Sequence, residues 1–314
     1  MHLIIILLTT VSVLTFLSGL IVFFGSSKGN RTRSAWFLLA AIFATVWMTS
    51  ISYFLAAQPS WFESIDWHVK WTFVSAIVID MAFLGYVSWQ EKYGYALTAV
   101  FVFLGLIVST LIFINPELLY SAVILDKSGN SVVMKMDILY YAYIGYFSLI
   151  VPAIIVTLLK QFVKTKSDHK RGSDLTIMVS FGLSSTLVLI ANLILPLFNN
   201  WHLIWLGPLA LSMTIIAFYY TILKYRALNL SSIWLKVFSY IVLIASLAIT
   251  YMVIFALVFT ALFKGSMPST EVIILNFIMI SIFLVLMPAM NKMTTFVRML
   301  IDGNNTIKKR EEKK

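Results

Sequence analysis

The sequence predicts an all-α polytopic membrane protein with about nine transmembrane helices. Of its 314 residues, 61% are hydrophobic and 11% are charged, whereas a soluble domain carries about 25% charged residues. The polar side chains are too few to cover a globule in water, so lipid must be the main solvent. The apolar residues also form nine runs, each long enough to cross a hydrocarbon core of about 30 Å at a rise of about 1.5 Å per residue.

The predicted helices follow one another with short connections. The first run has no basic residue ahead of it and is long enough to span, so it is read as a retained helix rather than a cleaved signal peptide. Four prolines lie inside the runs or at their ends, where neighbouring helices are expected to satisfy the carbonyl groups that proline frees. The runs cover residues 2–24, 35–57, 69–89, 95–114, 138–159, 175–197, 203–223, 235–263 and 272–290, and the prolines are Pro152, Pro196, Pro208 and Pro288.

The basic residues orient the chain. Nineteen of the 23 Lys and Arg residues lie in the first, third, fifth and seventh connections and in the tail, and the other side has only Lys70, Lys127, Lys135 and Lys264. Because basic loops stay in the cytoplasm, this pattern predicts an outer N-terminus and a cytoplasmic C-terminus. The net charge of +10 is therefore assigned to orientation and to contact with anionic membrane lipids, and not to nucleic acid.

Two outer connections have a distinct character. Loop 58–68 carries Trp61 and Trp67, which fit either an aromatic belt at the headgroup level or the rim of a ligand pocket. Loop 115–137 places the turn-rich DKSGN between the β-favouring runs SAVIL and SVVMK, which predicts a short extracellular β-hairpin-like loop. This loop is interpreted as a lid or as a plain connector.

Asp80 is the one acid well inside a predicted span. Because an ionised carboxylate is costly there, two interpretations remain open: a sensing or proton-linked site, or an interhelical hydrogen bond to Asn192 or to a tyrosine. Two interpretations also remain open for Asn192 and Asn276: each side chain links two helices through a hydrogen bond, or it contacts a ligand.

A cluster of tyrosines occupies the outer half of the fifth predicted helix. Tyrosines there usually anchor the interface, but their density also fits the lining of a pocket. The hypothetical ligand-binding set therefore consists of Asp80, Asn192, Trp61, Trp67, Tyr140 and Tyr143.

Catalytic, cofactor and metal chemistry receive little support. The chain has no cysteine and no histidine pair at metal-ligand spacing. It also has no glycine-rich nucleotide-binding motif. His169 and Asp174 match the H-x-x-x-x-D pattern of glycerolipid acyltransferases, but these two positions lie in a short charged connection. We therefore expect no catalytic residue, no cofactor, no metal and no enzyme activity.

Residues 205–236 join the seventh and eighth predicted helices. The seventh helix opens with Gly207-Pro208 and ends in YYTILKYRALN. The basic exit, formed by Lys224, Tyr225 and Arg226, is interpreted either as a stop-and-turn signal or as a coupling element. Further along the chain, an amphipathic segment begins at residue 291.

Taken together, these features resemble the N-terminal seven-transmembrane sensor region of bacterial membrane histidine kinases. The likeness rests on the outer N-terminus, the charged first inner loop with Lys28, Arg31 and Arg33, the hairpin-like loop, and the aromatic and basic end of the seventh helix. It implies a sensor-like module over 1–230, two additional helices over 231–290, and a cytoplasmic amphipathic segment with a charged tail over 291–314. No phospho-accepting histidine in an H-E-x-x-x-P context is present, so kinase activity is not expected.

The resemblance implies a receptor-like sensor in the bacterial plasma membrane. It would bind a small or amphiphilic ligand and signal through a separate histidine kinase or another cytoplasmic protein, with a homodimer as one arrangement. The alternatives are a membrane transporter, which usually shows internal repeats and charged sites at mid-membrane, and an accessory membrane subunit.

Overall fold

The computed structural model describes residues 2–26, 28–56, 62–89, 94–125, 132–165, 168–198, 200–201, 203–224 and 242. The chain divides into the units Met1–Leu247 and Ala248–Lys314, and all described residues belong to the first. The eighth and ninth predicted spans, 235–263 and 272–290, lie outside the described residues apart from residue 242.

The first unit is a bundle of apolar helices. Six helices are long and apolar enough to cross a membrane, and a shorter apolar helix covers Leu206–Ile222. The elements are α1 (His2–Gly25), α2 (Arg31–Ala56), α3 (Phe62–Ser88), α4 (Gly94–Ile114), β1 (Tyr120–Leu125), β2 (Val132–Met136), α5 (Ile138–Lys164), α6 (Asp168–Val188), a π-helical segment (Leu189–Ile194), α7 (Leu195–Leu197) and α8 (Leu206–Lys224).

Helix α3 lies at the centre of the bundle. It packs against α2, α4 and α5, while α8 packs against α6, α1 and α2. The apolar stretch of α3 is largely buried, whereas most of α4 faces outward, as a helix at the lipid boundary does.

Small and polar residues allow the helices to approach one another. A Cβ added at Gly19 of α1 would lie 2.6 Å from the Cβ of Ala41 on α2. Nearby, the Thr45 hydroxyl donates to the Ser12 carbonyl of α1 at 3.1 Å. The Gln161 amide of α5 likewise donates to the Val87 carbonyl of α3. Such contacts hold helices together where lipid removes the hydrophobic driving force.

The predicted extents of two connections are wrong. Helix α3 begins at Phe62, inside the predicted loop 58–68, so Trp67 lies on a helix. Helix α5 continues to Lys164 and α6 begins at Asp168, so His169 and Asp174 lie on α6 rather than in a loop. Charged residues end an apolar run without ending a helix, and an acidic residue such as Asp168 favours a helix N-terminus.

Two strands pair at one end of the bundle, between α4 and α5. Strands β1 and β2 are antiparallel, with Val123 opposite Met134 and Leu125 opposite Val132. Residues 126–131 lie outside the described residues. This end of the bundle, where α2 and α4 end and α3 and α5 begin, is called the hairpin end. The opposite end, where α8 ends, is called the exit end.

A polar contact ties the hairpin end to α3. The Tyr120 hydroxyl of β1 donates to Asp66, and Lys70 Nζ lies 2.6 Å from the other carboxylate oxygen of Asp66. Burial, and then the hydrogen bond to Asp66, raise the pKa of Tyr120 above its ordinary value. The phenol therefore stays protonated at neutral pH and remains a donor to the carboxylate.

We predict that Tyr120→Phe loosens the strands from α3. A hydrogen bond to a charged acceptor contributes about 1.5–3 kcal/mol, so backbone amides of 120–125 and 132–136 should exchange with deuterium about tenfold faster or more. Tyr95→Phe at the exit end serves as the control and should leave this exchange unchanged. Equal exchange rates in the wild-type protein and Tyr120→Phe would contradict the anchoring role.

Candidate functional site: a buried polar cluster around Asp80

Asp80 lies in the middle of α3 and is 5% exposed. It borders a cavity of about 10 Å³, which has room for about one water molecule. Side chains from α2, α3, α5, α6, the π-helical segment and α8 surround this cavity. They are Trp47, Ala76, Asp80, Phe147, Val151, Ser185, Val188, Leu189 and Leu211.

Hydrogen-bond donors gather around the carboxyl group. The indole Nε1 of Trp47 is buried and has no hydrogen-bond partner among the described residues, and the same holds for the Tyr146 hydroxyl. Tyr143 and Tyr146 also lie within electrostatic range of Asp80. Because buried donors are normally paired, this concentration of unpaired donors beside a buried acid marks the cluster as unusual.

No hydrogen bond joins Asp80 to Asn192 or to a tyrosine within the described part of the chain. The side-chain amide of Asn192 instead donates to the Ile204 carbonyl at 2.9 Å. Among the residues that the structure describes, no cationic side chain lines the Asp80 cavity. The described lining of the cavity other than Asp80 is therefore neutral.

A π-helical turn next to the cavity brings two of the predicted site residues together. The Tyr140 hydroxyl of α5 donates to the carbonyl oxygens of Asn192 at 3.1 Å and Leu193 at 3.0 Å. Pro196, four residues after Asn192, has no N–H to offer that carbonyl and its ring crowds it. Tyr140 thus supplies the donor that Pro196 removes, and the backbone widens into a π turn at the same place.

Tyr143 connects the π turn with Asp80. Its ring stacks on Tyr140 with the centroids 6.1 Å apart, and it meets Phe73 of α3 edge to face at 5.1 Å. One continuous region of the bundle therefore contains Asp80, Tyr140, Tyr143 and Asn192. We call this region, together with Trp47 and Tyr146, the Asp80 cluster.

Gly207 explains the close contact between the π turn and α8. A Cβ at this position would collide with the side-chain amide of Asn192. Glycine therefore permits the start of α8 to lie directly on Asn192. The sequence shows the Gly-Pro pair at the start of α8. It does not show that Gly207 must accommodate the side chain of Asn192.

Trp67 occupies a separate groove at the hairpin end, between α2 and α3. The groove has a volume of about 320 Å³ and a mixed aromatic and hydroxyl lining. Trp67 packs edge to face on Trp71 with the centroids 5.6 Å apart, and it is 54% exposed. The lining consists of Thr45, Val46, Thr49, Ser50, Trp67, His68 and Trp71. We call it the hairpin-end groove.

The remaining predicted positions are placed as follows. Trp61 lies outside the described residues, as do Tyr225 and Arg226, while Lys224 is the last residue of α8. Asp174 accepts a hydrogen bond from the Thr165 hydroxyl at 2.9 Å. No group of three or more potential metal-ligating side chains occurs among the described residues.

Three features of this site have little or no signal in the sequence: the position of Trp47, the π turn and the hairpin-end groove. The indole of Trp47 is one of many aromatics in apolar runs, and its sequence context carries no signal that it faces Asp80. The π turn has a partial signal, because Pro196 follows Asn192 at the spacing that frees a carbonyl. The hairpin-end groove depends on the packing of two helices, which single-helix patterns do not reveal.

The chain matches one family model, described as the N-terminal 7TM region of histidine kinase, over residues 6–231. This match covers most of the chain and includes every described helix of the bundle. No curated protein and no solved structure matches the chain.

We predict that Tyr140→Phe destabilises the bundle by about 1–3 kcal/mol, because it leaves a buried carbonyl without a donor. Thermal denaturation of the protein in lipid nanodiscs measures this loss, and deuterium exchange should rise selectively at 193–198. The matched control is Tyr141→Phe, since Tyr141 is the neighbouring residue and is 64% exposed. An equal effect of the two substitutions would refute the role assigned to Tyr140.

Gly207→Ala should also destabilise the bundle, by about 1–3 kcal/mol, because the added methyl group meets Asn192. A double-mutant cycle with Asn192→Ala tests the cause. If the collision with the amide is responsible, the double variant should lose less stability than the sum of the single losses. Additive losses would instead assign the effect of Gly207→Ala to another contact.

Proposed function

Because the chain belongs to the family of N-terminal seven-transmembrane regions of histidine kinases, we propose that it is an integral membrane sensor whose Asp80 cluster couples a ligand groove to helix α8. In this family the seven-helix region is the sensor part and not a catalytic domain. The chain is a multi-pass membrane protein with several apolar helices.

The convergence of five helices at Asp80 carries the proposal. Helices α2, α3, α5, α6 and α8 all contribute to the walls of one small cavity. Protein interiors are close-packed. A change in packing around the Asp80 cavity must therefore displace α8 relative to α3, unless side chains change their rotamers to accommodate it. Because α8 ends at the exit end, a displacement of α8 is the simplest structural change by which the bundle could pass on a signal.

The hairpin-end groove is the better candidate for the ligand itself. Its volume of about 320 Å³ lies in the range of small-molecule sites, whereas the Asp80 cavity of about 10 Å³ is too small for an organic molecule. Trp67 and Trp71 on α3 would contact an amphiphile entering from the lipid. Asp80 follows Trp71 by about 14 Å along the same helix, so the ligand would act on Asp80 through α3.

This division of roles favours a sensor over a transporter. A transporter binds its substrate at the midplane between moving halves, and the Asp80 cavity has no room for a solute. Tyr140, Tyr143 and Asn192 are accordingly proposed to shape the packing around Asp80 rather than to touch the ligand. Trp61 is proposed to extend the aromatic rim of the hairpin-end groove.

The output side of the proposal follows from the predicted orientation. The exit end would face the cytoplasm of a bacterial cell, and Lys224, Tyr225 and Arg226 would couple α8 to the segments 231–290 and 291–314. A separate histidine kinase or another cytoplasmic protein would read the change, and the chain itself would have no enzyme activity. In this proposal membrane lipids surround the bundle, and two copies of the chain form a homodimer.

The absence of cysteine allows a direct test with single labels. We predict that Lys224→Cys, labelled with a fluorophore in the full chain in nanodiscs, changes emission when a stabilising amphiphile binds. Amphiphiles are first screened for thermal stabilisation, which should disappear in Trp67→Ala combined with Trp71→Ala. Asp80→Asn should keep the stabilisation but reduce the emission change severalfold.

A label at Val163→Cys, on the exit end of α5, provides the control and should respond weakly. The proposal would fail if amphiphiles stabilised the protein through Trp67 while neither label responded. It would also fail if Asp80→Asn left the Lys224 response intact, because Asp80 would then have no part in coupling.

A further inference from the structure

The π turn of Leu189–Ile194 joins two regions of the bundle. At its first residue, Leu189 lines the Asp80 cavity. In its second half, the Asn192 amide donates to the Ile204 carbonyl at 2.9 Å, two residues before α8 begins. This short turn is therefore the covalent connection between the packing around Asp80 and the start of α8.

One extra residue is accommodated in this turn. The Leu195 N–H donates to the Ile190 carbonyl, five residues earlier in the chain, whereas an α-helix pairs residues that are four apart. A π turn inside an α-helix is equivalent to one inserted residue, and the helical segments on either side keep the phase that they would have without it. The turn thus holds one residue more than a regular helix needs at this place.

The turn leaves a polar atom without a partner. Asn192 Oδ1 is buried and has no hydrogen-bond partner among the described residues, and it lies where a Cβ of Gly207 would collide with it. A buried acceptor without a donor costs about 1–3 kcal/mol. The hydrogen bonds from Tyr140 to the Asn192 and Leu193 carbonyls offset part of this cost. Contacts from a neighbouring helix therefore help to hold the π turn.

We propose that the π turn is the hinge of the sensor: when the packing around Asp80 changes, the turn closes to α-helical geometry and passes its extra residue to the connection that precedes α8. Successive residues of an α-helix are rotated by about 100° about its axis, so Asn192 turns by about this angle. Its amide leaves the Ile204 carbonyl, and the start of α8 loses this contact. The inference rests on the proposed function in taking α8 as the element that passes on the signal.

Deletion of Ile190 tests whether the turn holds an inserted residue. Ile190 is exposed, so the deletion removes no side chain from the core. We expect this variant, as the full chain in nanodiscs, to melt near the wild-type temperature, because a regular α-helix then joins the flanking segments without changing their phase.

The matched control is deletion of Leu183, which is also exposed but lies in the α-helical part of α6. This deletion turns Ser184 and Ser185, both of which are buried, away from the interior. It should lower the melting temperature by about 10 °C or more.

Distances between spin labels test the hinge itself, and the absence of cysteine from the chain permits labelling in pairs. Leu183→Cys and Phe198→Cys place exposed labels on either side of the π turn. Ala76→Val enlarges a side chain in the wall of the Asp80 cavity, whose volume is only about 10 Å³. We expect this substitution to shift the distance between the labels at 183 and 198, measured by electron paramagnetic resonance.

The shift should disappear when Ile190 is also deleted, because no extra residue then remains to be passed on. A label pair at Leu175→Cys and Leu187→Cys, both on α6 before the turn, should give the same distance with and without Ala76→Val. Ala76→Ser adds a single atom to the same wall. It provides a milder perturbation and should shift the distance between 183 and 198 in the same direction.

The proposal is overturned if deletion of Ile190 lowers the melting temperature as much as deletion of Leu183. It is also overturned if the substitutions at Ala76 leave the distance between 183 and 198 unchanged, or if the shift persists without Ile190. None of these measurements uses an amphiphile or the label at Lys224. Failure of the ligand groove would therefore leave their outcome unaffected.

Discussion

The hydrogen bonds from Tyr140 to the carbonyls of Asn192 and Leu193 satisfy a constraint on which the bundle depends. Lipid offers no donor to a carbonyl that loses its helical partner, and Pro196 removes that partner from Asn192. Helix α5 supplies the donor instead. With the carbonyl satisfied, the chain can widen into a π turn, which aims the Asn192 amide at Ile204 and brings Gly207 against it. The start of α8 is therefore positioned by Tyr140 of α5.

Helix α3 joins the other features of the bundle along one axis. Asp66 accepts a hydrogen bond from the Tyr120 hydroxyl at the hairpin end, Asp80 lies among five helices at the centre, and Gly85 lies against the ring of Trp36 towards the exit end. A helix is stiff over this length, so a shift of its first turns is carried to its last. A ligand in the hairpin-end groove proposed above would then act on Asp80 through one rigid element.

The sequence predicts the described apolar helices well, because hydropathy depends on local composition. The predicted runs match α1, α2, α4 and the helical core of α3 and α5 closely. The errors fall on charged stretches such as 160–174, where helical structure continues beyond the apolar run. Asp80 is predictable as a special residue from its position alone. Its neighbours are not, because the orientation of Trp47 or Tyr146 depends on how the helices pack. The sequence points to Tyr140 and Asn192 for other reasons, and no sequence rule pairs them across 52 residues.

The unpaired groups around Asp80 bear on how a bundle of this kind changes state. In the packing described, the Trp47 indole and the Tyr146 hydroxyl have no hydrogen-bond partner among the described residues, and each such group costs about 1–3 kcal/mol. A different packing that pairs one of them with Asp80 would recover this energy while losing some apolar contact. Two arrangements of similar energy are what a switch requires, since a ligand shifts an equilibrium only by its difference in affinity for the two states. In the proposed sensor, the incomplete hydrogen bonding of the Asp80 cluster would keep such an alternative packing within reach of a modest ligand affinity.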